Sequence, residues 1–300
     1  MIRSIHGFGL SLLVGLALLG RLGAAPPPDG LRISLIKTAQ SSGAAEALVV
    51  KGGRLFTERH LIHAALLVEH PDGRFLYDTG LGRTTNDAFA DNRWWHRSLL
   101  DYEQLNPAVD QLREAGYTRD DIDFIIPSHL HWDHVGGPPD FPQTPVWAPQ
   151  QALTEAEHGH RPAFLVEQIN AAGDWTTLEL TGPAYRGFGP SLDLFGDGRL
   201  ILVDLSGHAH GQVGLFIHLD SGRDLFFIGD TSWTLRGVEQ AQPRPKLVQW
   251  LAGVDADREQ NLSVLQRIHR LSRDQPDLDI IPAHDEFVAD TLARFPQFED

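Results

Sequence analysis

The chain has no cysteine in its 300 residues. That excludes disulfides, a lipidated N-terminal cysteine and thiolate metal ligands, so any metal site must be assembled from His, Asp and Glu. Basic residues are scarce beside acidic ones, 25 Lys and Arg against 40 Asp and Glu, for a formal net charge of -15. Approach to a phosphate backbone or an anionic membrane surface adds like-charge repulsion, and nucleic acid is not an expected partner. There is no internal repeat, no low-complexity block and no long linker after Gly30, which favours one domain over two. A Gly-x-Ser-x-Gly elbow is also missing, so nothing supports a serine nucleophile.

The apolar run from Phe8 to Leu19 is shorter than the roughly 20 residues that span a bilayer. With Arg3 before it and the small residues Gly23, Ala24 and Ala25 after it, residues 1–25 read as a secretory signal peptide. The expected location is periplasmic or secreted, with an uncleaved N-terminal tether as the alternative and no stable membrane insertion once the signal is removed. Residues 26–30 (Pro-Pro-Pro-Asp-Gly) read as a linker, because three prolines can join neither a helix nor a central strand. The folded domain is expected over 31–300.

Arg32 to Lys37 and Ala64 to Glu69 read as strands, and Phe75-Leu76-Tyr77 follows a Pro71-Asp72-Gly73 turn as the second arm of a hairpin. Ala108, Leu112 and Ala115 place a helix over Asn106 to Gly116, and a strand from Asp123 to Ile126 follows. Leu192 to Leu194, Leu200 to Leu205, Val213 to Leu219 and Leu225 to Ile228 form a second run of strands with mostly antiparallel pairing. A helix bearing Val264, Ile268 and Leu271 and a last strand at Ile280-Ile281 complete the pattern. Gln150 to Tyr185, polar and weakly periodic, reads as an inserted helix-and-loop segment able to overhang a site. The class is α+β, two mixed sheets flanked by helices.

His129-Leu130-His131-Trp132-Asp133-His134 follows an apolar strand directly. With 15 His and 27 Asp in the chain, this pattern is expected by chance only about 0.003 times. Alternate side chains point the same way, so His129 and His131 can grip one ion while Asp133 and His134 turn to another. Four groups cannot fill two coordination spheres, so further ligands must arrive from downstream strand ends. His208, Asp230 and His284 each stand just after an apolar strand, where a buried sheet presents a side chain with little play. The remaining histidines, among them His60, His63, His70, His96, His158, His160, His218 and His269, read as surface, packing or supporting groups.

Asp78-Thr79-Gly80, Ser128 to Gly137, Gly207 to Gly211, Gly229-Asp230 and Pro282 to Asp285, in that order, resemble the hydrolases of the metallo-β-lactamase superfamily over nearly all of the mature chain. The resemblance implies an αββα sandwich with a bimetallic centre at one edge. By the same resemblance His129, His131 and His208 hold the first ion, Asp133, His134 and His284 the second, and Asp230 bridges both. Two Zn²⁺ are implied, with Mn, Fe or Co also compatible with N and O ligands. Such a pair lowers the pKa of a shared water from near 16 to about 7, supplying a bridging hydroxide as nucleophile, and Asp133 is placed to pass a proton to the leaving group. Asp78 is expected to support the metal loops by hydrogen bonding.

A carboxylate at the Asp230 position resembles lactonases, thioesterases and phosphodiesterases rather than true β-lactamases, and the 16 residues after His284 are too few for the helical glutathione-binding domain of glyoxalase II. The nearest branch resembles the N-acyl homoserine lactonases, except that Trp233 stands where those enzymes have a substrate-orienting Tyr. An indole donates one hydrogen bond but is no phenolic acid. Trp233 is expected to contact substrate, and Trp94 and Trp95 either to wall an apolar pocket or to pack in the core. The expected activity is hydrolysis of a small lactone or ester. A phosphoester or organophosphate hydrolase and a non-catalytic metal-binding sensor are the alternatives. Oligomeric state is not readable from the sequence.

Overall fold

The computed structural model describes residues 28–300. The signal-peptide expectation and the first two prolines of the linker lie outside the described residues. Fourteen strands follow from Leu31, which is fully buried: β1 Arg32–Ser41, β2 Ala44–Ala45, β3 Glu58–Arg59, β4 Ile62–His70, β5 Gly73–Tyr77, β6 Tyr102–Glu103, β7 Phe124–Ile126, β8 Val146–Ala148, β9 Trp175–Thr177, β10 Ser191–Asp193, β11 Leu200–Asp204, β12 Val213–His218, β13 Asp224–Phe227 and β14 Leu278–Ile281. Two large sheets result, in the orders β6-β1-β4-β5-β7-β8-β9 and β10-β11-β12-β13-β14, and β2 and β3 make a separate ribbon. The β4–β5 hairpin closes with His70 opposite Gly73. Both sheets are mixed: β5, β7, β8 and β9 run parallel, as do β13 and β14, and the other pairs are antiparallel.

The strands are apolar on both faces because both faces are covered. In β4, Leu66 and Val68 join Phe75, Ile126, Leu202, Leu215 and Phe227 in the core between the sheets. The alternating residues Ala65 and Leu67 face outward onto Leu112 and Val109 of the helix Ala108–Glu114. On the second sheet Val203, Phe216, Phe226 and Ile280 pack under Val264, Leu265, Ile268 and Leu271 of the helix Arg258–Asp274. The layering is helix, sheet, sheet, helix. Period 2 in the strands and period 3.6 in the helices place the apolar faces that these four layers bury.

Parallel pairing fixes which strand ends share an edge. The carboxyl ends of β5 and β7 lie together, and so do those of β13 and β14, with β11 running the same way as β13 two strands over. Asp78, His129, Asp230, His284 and His208 follow these ends within a few residues, so one rim of the sandwich collects them.

Two local expectations are corrected. Gln150 to Tyr185 contains the helices Gln150–His158 and Val166–Ala171, but also β9, which adds to the first sheet by pairing with β8. Its polar Thr176 and Thr177 hid an edge strand whose exposed face needs no apolar residues. Trp94 is 73% exposed and Trp95 36%, so neither packs in the core. They sit on the helix Trp94–Leu99, which buries none of its residues, and the Arg93 guanidinium covers the Trp95 ring.

Candidate metal centre

All seven residues singled out by strand-end position gather at this rim. His129 Nε2 and His208 Nε2 each lie 3.0 Å from His131 Nδ1. Asp230 stands between two groups: its Oδ2 is 3.4 Å from His208 Nε2, and its Oδ1 is 3.4 Å from His134 Nε2 and 2.9 Å from His284 Nε2. Asp133 Oδ2 lies 3.5 Å from His284 Nε2 and 4.0 Å from His134 Nε2. Within these groups His129, His131 and His208 form one set whose ligand atoms all fall within 4.8 Å of one another, as do His129, His134 and Asp230.

Hydrogen bonds behind the rings set which nitrogen faces inward. Asp78, held at a positive φ of 55°, accepts from Ser128 N at 2.6 Å and pairs with His134 Nδ1 at 2.9 Å. Gly80 follows at φ 59°, where a Cβ would stand 2.1 Å from Thr38 Oγ1, so the turn that aims Asp78 admits only glycine there. The carbonyl of Ile62 takes His284 Nδ1 at 2.6 Å, and Asp255 takes His208 Nδ1 at 3.0 Å. At His134 and His284 these bonds take Nδ1–H and leave Nε2 as the inward atom, while His208 Nδ1 lies between Asp255 and the Arg244 guanidinium and its Nε2 faces inward.

Burial and mutual proximity keep the first set neutral. Burial, then His134, His131 and His208, hold His129 well below the usual imidazole range. Burial and then His208 bring His131 down to about 3. Burial also opposes charge on His134 and His284, but the carboxylates outweigh it: Asp78, Asp133 and Asp230 at the first and Asp230 and Asp133 at the second raise both. These residues fit a cation. Three buried imidazole nitrogens converge, with His129 Nε2 and His208 Nε2 each 3.0 Å from His131 Nδ1, and His134 Nε2 and Asp230 Oδ1 are buried without an aligned hydrogen-bond partner, a donor set that a cation would satisfy.

Because His134 and His284 are raised, cations must displace their protons. Metal binding to the metal-free protein is therefore expected to release protons, with affinity falling as pH drops. Calorimetric titration in buffers of differing ionisation enthalpy measures the count, and a buffer-independent heat would contradict it.

Trp233, half-buried, donates its indole N–H to Asp230 Oδ2 at 2.7 Å. It helps line a cleft of about 270 Å³ together with His131, Asp133, His208, Asp230 and His284. Pro162 and Ala163 of the 150–185 segment reach the same cleft, as do Leu99 and Leu100, whereas Trp94 and Trp95 do not line it. His210 is exposed and bonds Glu155 through its backbone.

Two features beside the site escaped the sequence. Arg244 and Asp255 form a buried pair at 2.9 Å; Arg244 also bonds the Asp230 carbonyl at 2.6 Å and lies over the Trp233 ring. The second is His63, 7% exposed, which stands beside Asp133. The pair had no signal, since Arg244 and Asp255 lie in irregular segments. His63 had one, an imidazole near the start of the largely apolar strand Ile62–His70. Asp255→Asn is expected to weaken the ion at the His208 set about 10- to 100-fold by removing the charge that orients His208. Chelator competition measures this, and unchanged affinity would show that Asp255 only packs.

The comparisons agree with this geometry. Residues 59–284 match the model of the metallo-beta-lactamase superfamily. A Mycobacterium tuberculosis protein named "Probable metallo-hydrolase Rv2300c" is 28% identical over 242 residues, 75% of each chain. An N-acyl homoserine lactonase of Bacillus thuringiensis is 26% identical over 240 residues, 77% of this chain and 84% of that one. In fold, the chain is similar to an N-acyl homoserine lactone hydrolase solved with N-hexanoyl-L-homoserine at its catalytic metal centre, with a TM-score of 0.70 at 21% identity over 89% of this chain and 98% of that one. With the match spanning more than half of the sequence, the chain belongs to the metallo-beta-lactamase superfamily and is a metal-dependent hydrolase similar to the N-acyl homoserine lactonases.

Proposed function

We propose that this protein opens lactone or ester carbonyls of small acylated substrates with two divalent cations, zinc first among them. The observation that carries the reading is Asp230, one carboxylate whose two oxygens face two separate histidine groups. His129, His131 and His208 would hold one ion, Asp133, His134 and His284 the other, and Asp230 both. When bound, the ions supply Lewis acidity, lowering the pKa of water and polarising the carbonyl.

The remaining work falls to the chain. The side chain of Asp133 is 13% exposed where that of Asp230 is 5%. It is the carboxylate nearer to the open cleft and so the one suited to hand a proton to the leaving alkoxide. The Trp233 N–H fixes the orientation of Asp230 through its 2.7 Å bond, and the indole gives the substrate an apolar wall. Leu61, Leu99, Leu100 and Val254 continue that wall, which suits an acyl chain and excludes water from the reacting carbonyl. The cleft, at about 270 Å³, is near the lower end of small-molecule sites, about 300–1,000 Å³. That size suits a five- or six-membered ring with the start of a chain. The N-terminal run from Phe8 to Leu19 supports placing this activity outside the cytoplasm.

Metal-loaded protein is expected to open N-acyl homoserine lactones with proton release at a kcat/KM of at least about 10⁴ M⁻¹s⁻¹. Turnover of aryl phosphotriesters without lactone opening would move the protein to the organophosphate branch. Inertness to both with two tightly held ions would make it a sensor.

A further inference from the structure

The neighbour nearest to Asp133 among the histidines is His63. Its Nδ1 lies 3.3 Å from Asp133 Oδ2, closer than His284 Nε2 at 3.5 Å or His134 Nε2 at 4.0 Å. His63, Asp133 and His284 offer three ligand atoms all within 4.8 Å of one another. The separations suit shared coordination: two ligands at about 2.0–2.1 Å from one ion in tetrahedral array stand about 3.3 Å apart. A hydrogen bond accounts for them less well. Despite its distance from Asp133, His63 Nδ1 is buried with no aligned partner, and a neutral donor left so beside a carboxylate wastes about 1–3 kcal/mol.

The position of His63 is also fixed on every side. Its backbone carbonyl takes Thr38 Oγ1 at 3.0 Å, and its ring meets Trp132 at 5.7 Å and His284 edge-on at 5.3 Å. The preceding residue, Ile62, holds His284 Nδ1 through its carbonyl, so one short piece of β4 places both His284 and His63 relative to Asp133.

We infer that His63 is a ligand of the second ion, joining Asp133 and His284 and raising the protein groups around it above the four that His134, Asp133, His284 and Asp230 supply. The inference rests on the two-ion reading above. A fifth protein ligand favours an ion of higher coordination number at this position, Mn, Fe or Co over a strictly tetrahedral zinc.

Apo-protein prepared by chelation is titrated with Co²⁺, following the visible d–d bands and the heat. Wild type, His63→Phe and His63→Asn are compared, because Asn keeps a hydrogen-bonding group beside Asp133 while removing the imidazole. Both variants are expected to bind the first Co²⁺ as wild type does and the second at least about a hundredfold more weakly, since even outer-shell changes cost 10- to 100-fold. The second ion's bands should also intensify as its coordination number falls. Unchanged binding of two ions by His63→Asn overturns the assignment, as does equal weakening of both ions in both variants. Binding of fewer than two ions by wild type overturns the two-ion reading itself, so the two failures are told apart.

Discussion

Asp230→Asn is expected to leave one ion per chain and to lower kcat/KM by about 10³-fold or more. The substitution keeps the shape of the side chain and an oxygen for the Trp233 indole, so the loop after β13 should hold its place. What it removes is the negative charge that both histidine groups face at 2.9 to 3.4 Å. Two divalent cations in a buried pocket need their charge offset at close range, and in the wild type only Asp230 and Asp133 of the seven gathered side chains are carboxylates. With Asp133 alone, the pocket balances one ion. Elemental analysis after gel filtration, beside a thermal melt to show that the fold persists, checks the result. Two retained ions would refute the bridging role.

Arg59→Met is expected to cost about 3–5 kcal/mol of stability, the penalty for leaving a buried charge network without its cation. Arg59 has a side chain only 4% exposed and meets three carboxylates: Glu286 at 2.8 Å, Asp285 at 2.9 Å and Glu46 at 3.4 Å. Asp285 is also the cap of the short helix Glu286–Ala289 and accepts from Leu235 N at 2.8 Å. It adjoins His284, so a shift of this cap would be felt at the metal rim. Urea unfolding measures the loss, and a change under about 1 kcal/mol would mean that water replaces the guanidinium at little cost. Adding Glu286→Gln to Arg59→Met should recover part of the deficit by removing one unpaired charge.

Much of the architecture was legible because two periods carry it. Leu66 and Val68 alternating with Ala65 and Leu67 announce a strand covered on both faces, and Val264, Ile268 and Leu271 announce a helix with one buried stripe. The segment from 150 to 185 was less legible. Its strand β9 pairs on one side only, and an edge strand of three residues leaves little pattern. Trp94 and Trp95 misled for the opposite reason: large apolar side chains usually declare burial, and here they stand on a helix with no buried face.

The sequence by itself determined which atoms this protein could offer a cation. Without cysteine, and with His-x-His-x-Asp-His after an apolar strand, the donors had to be imidazoles and carboxylates, and local order along the chain suffices to find the seven that follow strand ends. Only the tertiary structure decided what stands behind and beside those atoms. Asp255 meets His208 from 47 residues away, Ile62 meets His284 from 222, and His63 reaches Asp133 across the two halves of the first sheet's rim. Ligand identity is local chemistry that a motif can state. Ring orientation, charge balance and the neighbour that completes a site depend on which strands lie side by side, and that is set by packing of the whole sandwich.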